Sequence, residues 1–452
     1  MKEITKNHRQ MFGRIIALAI PVILQLLLVN SVSFADTLMI GQLGSTDIAA
    51  VGVAAQVFFL VTMFLYGVSS GGGIFISQFW GAEDRPSIHK IMGITILFTT
   101  VVVGIVSLYS SIFPSSIMRL FTQEQDIIAG GNTYLKIVGF SYVCTGISYM
   151  YATGLRSTGD TKTPLIISIV ALTIDILGNY LLIFGISFFP RLGIAGAAIS
   201  TALSRTIELL LYIIITSKNP LSPIRCKMSS CFHLDKAFVK KFFTYATPVI
   251  INDIFWAIGL IFYKIAFAKI GSNALAAVQI VESINNLFIV IIQGYAGAVA
   301  IIIGHLIGAG REKEARKFEN SSLVFSLVTG LCVALIVILI SPTFVTLFNI
   351  EKEVSSIAIK SLFMISFLLP FKSFNIAAII GLIRAGGDTK FAMYLELGSM
   401  WIVGVPLAFI GVLYWGLSLP QVYLLTGAEE AVKLLFELKR IKSGKYIHNI
   451  IQ

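Results

Sequence analysis

The chain has 452 residues, 56% of them hydrophobic and only 13% charged, with a mean hydropathy of +0.87. That composition excludes a water-soluble globular protein and a disordered one, because the apolar residues fall into long runs parted by short polar breaks, as in a polytopic helical membrane protein. The net charge of +11 does not make nucleic acid a partner, since the basic residues gather in alternate inter-helix segments, where anionic lipid headgroups are their partners.

The N-terminal stretch MKEITKNHRQMFGR leads straight into about 25 apolar residues, longer than a signal-peptide core, so the first helix is expected to be retained. Runs of about 20 or more apolar residues predict twelve helices, near 15–40, 52–80, 89–113, 131–155, 163–187, 193–217, 242–268, 275–307, 320–341, 356–383, 391–414 and 417–438. The twelfth is interrupted by GAEEAVK at 427–433, and its second half reads as amphipathic. With both termini inside, most Lys and Arg fall in inner segments. The outer segments and helix ends hold only Arg119, Lys136, Arg191, Lys269, Lys352 and Lys360, which suits an even helix count. Cys144 and Cys332 lie in apolar runs and Cys226 and Cys231 in the central polar loop, so no disulfide framework is implied.

Predicted helix 1 carries Pro21 and, near its outer end, Asp36 in VNSVSFADTLMIGQLG. A charge inside a bilayer costs several kcal/mol unless something compensates it. Two readings stand: Asp36 holds a cation or proton, or it caps the outer end of the helix. Predicted helix 2 contains three consecutive glycines in VSSGGGIFISQ, which permit a kink or a close helix contact. On predicted helix 5, Asp175 and Asn179 are four apart and share a face. Predicted helix 6 adds Thr201, and Arg205 with Glu208, which read as a structural ion pair.

Helices 5 and 6 run in opposite directions, so Asp36, Asp175, Asn179 and Thr201 can share one depth. Two carboxylates, an amide oxygen and a hydroxyl are hard ligands suited to a small cation such as sodium. Burial and mutual repulsion of the carboxylates suit protons equally. For Asp175 a plain interhelical hydrogen bond is the structural alternative.

Sliding the chain on itself reveals a repeat. GQLGSTDIAAV at 41–51 lies over AKIGSNALAAV at 268–278, and the same 227-residue shift brings Pro21 onto Pro248 and Gly81-Ala82 onto Gly308-Ala309; LRSTGDTK at 155–162 lies over IRAGGDTK at 383–390 with a shift of 228. Each repeat holds six helices, so the second copy enters the membrane in the first one's orientation. The expected fold is an all-α integral membrane protein of twelve transmembrane helices in two six-helix lobes, 1–217 and 242–452, related by a pseudo-twofold axis along the membrane normal, with 218–241 a cytoplasmic linker. The R-x-x-G-D-T-K loops are expected to form turns whose Arg and Asp lock helix ends.

The second lobe does not copy the first lobe's polar set, because the register puts Tyr263 opposite Asp36 and Val403 opposite Asp175. It has Asp253 and Lys264 on helix 7, Glu282 on helix 8, Lys372 on helix 10 and Glu396 on helix 11, with Trp256 and Trp401 nearby in sequence. An acid beside an aromatic face suits an organic cation, which makes Asp253, Trp256, Glu282, Glu396 and Trp401 candidate substrate-binding residues. Pairing of Lys264 or Lys372 with one of these acids is the structural alternative. Pro21, Pro248 and Pro406 interrupt their helices' hydrogen-bond ladders.

The prolines of helices 1 and 7, the G-x-x-x-x-A-A loops, the two Gly-Ala pairs and the two R-x-x-G-D-T-K loops together resemble the multidrug and toxic compound extrusion (MATE) family along nearly the whole chain. The resemblance implies a V-shaped antiporter that expels organic molecules as sodium ions or protons enter. It also implies a cation site in the first lobe, whose family positions fall on Asp36, Asp175, Asn179 and Thr201. Relatives commonly carry Asn first and Asp or Asn four residues later on helix 5; DILGNYLLIFG reverses the order.

An enzyme is not expected. His8, His89, His233 and His448 fall in loops or tails, His305 stands alone near a helix end, and HExxH, GxSxG and Walker patterns are missing from the sequence. Cys226, Cys231 and His233 have no usual zinc spacing and lack a fourth ligand. The expected activity is cation-coupled export of amphipathic, cationic organic compounds by a monomer in the cell membrane, both termini cytoplasmic, with no cofactor beyond a bound sodium ion. A related lipid-linked precursor flippase is the second reading, and four acids among the cleft candidates argue against it.

Overall fold

The structure, a computed structural model, describes residues 2–186, 189–225, 235–346, 348 and 350–451, with side chains described at 12–32 and from 35 onward within those ranges. Cys226, Cys231 and His233 lie outside the described residues. The elements are α1 (Lys2–Gly41), α2 (Ser45–Gly81), α3 (Arg85–Ile112), α4 (Pro114–Met118), α5 (Gln125–Val138), α6 (Ser141–Ser157), α7 (Lys162–Phe184) and α8 (Ile194–Lys218). Then come α9 (Lys236–Ala268), α10 (Ser272–Gly308), α11 (Glu312–Thr346), α12 (Lys352–Ile376), α13 (Thr389–Gly398), α14 (Val405–Leu413), α15 (Leu419–Thr426) and α16 (Ala428–Lys442). Two π-helical stretches, Ala377–Arg384 and Ser399–Gly404, follow α12 and α13.

Among the described residues, ten helices are long and apolar enough to cross a membrane. Many large apolar side chains, including Leu60, Ile105, Leu339 and Ile402, remain exposed, as a lipid-facing surface requires. The chain is a multi-pass membrane protein. The fourth and twelfth predicted helices each come in two pieces. α5 and α6 part at Gly139, whose carbonyl accepts the Ser107 hydroxyl at 2.7 Å. α15 and α16 part at Gly427, where a Cβ would overlap the Leu368 side chain.

The repeat is visible in the backbone. In the first R-x-x-G-D-T-K loop, the N–H of Gly159 reaches the Arg156 carbonyl and that of Asp160 the Leu155 carbonyl, both at 2.9 Å; in the second, Gly387 reaches Arg384 at 2.9 Å and Asp388 reaches Ile383 at 3.0 Å. Gly159 and Gly387 have φ of 96° and 91°, values that glycine adopts without a Cβ penalty. The side chains diverge. Asp160 caps α7 by accepting the Thr163 N–H (3.0 Å) and hydroxyl (2.7 Å), whereas Asp388 accepts Arg440 Nε at 2.6 Å.

The last turns of α2 and α10 cross with backbone against backbone. A Cβ on Gly81 would run into the His305 carbonyl, and one on Gly308 into the Gln78 carbonyl. Both Gly81 to Gly308 and Gln78 to His305 are steps of 227, so the contact is reciprocal: each copy's glycine meets the other copy's carbonyl.

The chain divides into two compact units. One comprises Met1–Ile23, Ser77–Glu83 and Thr244–Gln452, and the other Leu24–Ile76 and Asp84–Phe243. α1 divides between Ile23 and Leu24, two residues past Pro21, where the helix lacks a backbone donor. The larger unit has a core on α10, α11 and the first π-helical stretch, joined by Ile15, Leu18 and Ala19 of α1, and a second core on α9, α10, α11 and α12. The C-terminal residues are part of it. Tyr446 donates to Glu319 at 2.7 Å, Gln78 accepts the Ile450 N–H at 3.0 Å and donates to the carbonyls of Ala385 and His448 at 3.2 Å, and Ile447 bridges to Gly387. Burial, with the Glu319 carboxylate alongside, pushes the Tyr446 phenol above its ordinary range, so it remains a donor at physiological pH.

Candidate functional site

Three helices of the smaller unit converge on one polar point. From α1, half-buried Asp36 accepts Asn179 Nδ2 of α7 at 2.7 Å. Asp175, one turn earlier on α7 and 2% exposed, receives the Ser200 hydroxyl of α8, which lies 2.8 Å from its carbonyl and 3.4 Å from Oδ1. Gly178 permits this approach, because a Cβ there would overlap the Ser200 hydroxyl. Thr201 of α8 hydrogen-bonds Asp175 and also Tyr134 of α5. The structure therefore brings Asp36, Asp175, Asn179 and Thr201 together, in one place on α1, α7 and α8.

Four residues outward along the same three helices, Ile40, Ile183 and Ala197 form a buried apolar cluster. Each sits about one helical turn beyond its polar counterpart, Asp36, Asn179 or Thr201. The cluster shields the polar point on that side and strengthens the fields within it. Asp36 and Asp175 act electrostatically on each other, and Arg205 acts on both. Arg205 nevertheless gives its hydrogen bond to Glu208, at 3.0 Å. Neither Asp36 nor Asp175 has a salt bridge among the described residues. Asn179 Oδ1 is buried without a hydrogen-bond partner among the described residues. A hard amide oxygen on a residue that binds a carboxylate is a fitting ligand for a sodium ion, and two neighbouring carboxylates fit a shared proton equally.

The acids of the larger unit are arranged differently. Arg384, at the end of the first π-helical stretch, bridges Asp253 (3.0 Å) and Glu396 (2.7 Å), and Asn252 donates to Glu396 at 2.8 Å. Glu282 pairs with Lys264 at 2.8 Å, both partly exposed. Trp401, in the second π-helical stretch, stands edge-on to Phe262 with ring centres 5.1 Å apart, and its indole N–H is buried without a partner among the described residues. Trp256 is half-buried on α9. Asp253 and Glu396 are thus joined around one guanidinium, and the cation on Glu282 is Lys264.

Tyr134 and Ser200 escaped the sequence reading. A tyrosine and a serine inside apolar helices carry no charge signal, and α5 reads as part of an unbroken run. In the sequence Arg384 belongs to the second R-x-x-G-D-T-K loop, expected to lock a helix end, and nothing there names its partners. Its side chain, at the end of the first π-helical stretch, reaches Asp253 and Glu396.

The family pattern MatE matches residues 21–181 and again 248–410. The chain is 26% identical to the uncharacterized transporter YisQ of Bacillus subtilis over 94% of this chain and 93% of that one. It is 28% identical to the probable multidrug resistance protein YoeA of the same organism, over 92% and 90%. The crystal structure of the Vibrio cholerae MATE transporter VcmN in the bent form superposes with a TM-score of 0.87, covering 98% of this chain and all of that one at 18% identity, a likeness of fold.

Proposed function

The chain belongs to the MatE family of multidrug efflux transporters, and on that premise we propose that it is a sodium- or proton-coupled antiporter exporting amphipathic, cationic organic compounds by alternating access. Asp36 is the principal coupling carboxylate, and Asp175, Asn179 and Thr201 complete its site. The observation that carries this reading is the convergence of Asp36 and Asp175, neither in a salt bridge among the described residues, with Asn179 Oδ1 orphaned beside them. A cation arriving there relieves the repulsion between the carboxylates and completes the amide oxygen's coordination. Its movement through the membrane field is worth about 2.3 kcal/mol per charge per 100 mV.

Neutralising Asp36 changes what α1 favours around it. Pro21, two residues before the point where α1 passes from one compact unit to the other, is where the helix bends at least cost. The protein works in this reading as a monomer in the cell membrane with both termini cytoplasmic, as the spread of Lys and Arg supports. No cofactor is assigned; sodium, if it is the ion, is cargo.

The test is uphill efflux of ethidium from vesicles holding the purified protein, under a sodium gradient and a pH gradient imposed separately. One gradient should drive efflux in the wild type, and Asp36→Asn should lower the driven rate at least about tenfold, the factor that corresponds to 1.4 kcal/mol, with melting unchanged. Normal coupling in Asp36→Asn would remove Asp36 from the mechanism.

A further inference from the structure

A second buried polar stripe lies in the larger unit, away from the Asp36 site. α16 carries Glu429, Lys433 and Glu437 at intervals of four, hence on one face, and they are 7%, 6% and 0% exposed. Glu429 is fully engaged: Lys433 Nζ binds one oxygen, and the Tyr263 hydroxyl donates to the other at 2.6 Å. Glu430 is held by Asn375 Nδ2 at 2.7 Å. Glu437 differs: among the described residues, neither of its buried carboxyl oxygens has a hydrogen-bond partner.

The basic groups around Glu437 have other commitments, Arg440 of α16 included, which holds Asp388. On α16, Lys433 is bound to Glu429. From α12, Lys372 acts on Glu430. From the first π-helical stretch, Arg384 is shared by Asp253 and Glu396, and Glu396 of α13 adds a further negative charge. The second π-helical stretch, SMWIVG, has no titratable side chain, and Tyr423 of α15 faces Glu282. Five acids, Asp253, Glu396, Glu429, Glu430 and Glu437, thus share three basic groups, Arg384, Lys433 and Lys372. An ionised carboxylate buried with no donor is costly.

We propose that Glu437 is a proton-binding site, carrying one exchangeable proton on its carboxyl group while Lys433 stays on Glu429. The site stands apart from the coupling reading, because it shares no residue with the Asp36 cluster.

Infrared difference spectra of the purified protein at neutral pH test it, read at the protonated-carboxyl C=O stretch and checked by its deuterium shift. The Asp36→Asn protein should keep a band that disappears when Glu437→Gln is added, and raising the pH should abolish that band reversibly. Glu437→Gln, which mimics the protonated acid, should melt where the wild type does. A band unchanged by Glu437→Gln overturns the proposal, as does a marked loss of stability in Glu437→Gln, which would mean that the negative charge itself is needed.

Discussion

Arg384 forms salt bridges to more acids than any other basic side chain among the described residues: it is 5% exposed and holds Asp253 and Glu396 together. Arg384→Met leaves two buried carboxylates with only Asn252 between them, and breaking a buried pair from one side costs about 3–5 kcal/mol. The purified variant should melt well below the wild type, and Asp253→Asn with Glu396→Gln in the same chain should restore most of the loss. Residues of this kind were half legible in the sequence. Asp36, Asp175, Asp253 and Glu396 stand out because each interrupts an apolar run, and a charge in such a run must be compensated. The identity of each partner was not legible: Asn179 and Thr201 follow from helical spacing, but Tyr134, Ser200 and Arg384 depend on how helices distant in sequence meet.

Helices were the most readable elements, because a run of apolar residues declares itself in any window. Their interruptions were less so. The breaks at Gly139 and Gly427 and the two π-helical stretches alter hydrogen bonding while leaving hydropathy as it was. The crossing of α2 and α10 is an element-scale feature with a sharp prediction. Gly308→Val would force a side chain against the Gln78 carbonyl, with no flexible group able to yield. Overpacking of this kind typically costs about 1–3 kcal/mol and more against rigid backbone, so the variant should express poorly and lose its melting transition or shift it down. Gly104→Val, where a Cβ has open space, is the control that should behave as the wild type does.

For the molecule as a whole, the two-fold repetition of six helices was open to reading because turns, unlike lipid-facing positions, demand particular residues. What the sequence could not tell is that the C-terminal residues fold back as part of the larger unit. Tyr446→Phe removes the donor to the Glu319 carboxylate, a charged hydrogen bond worth about 1.5–3 kcal/mol. It should lower the melting temperature and speed protease cleavage after Lys445, while Lys442→Ala, on the same terminal segment, should do neither. The reciprocal glycine crossing carries a consequence of another kind. When each of two equivalent segments offers the same atoms to the other, the contact is the self-complementary one that two identical chains make about a twofold axis. It has the form of a homodimer interface preserved inside one polypeptide, as expected if a six-helix ancestor paired with itself before its gene was doubled and joined. The remaining positions differ between the copies, Asp36 standing where the second copy has Tyr263, while this crossing keeps the symmetry of the repeat.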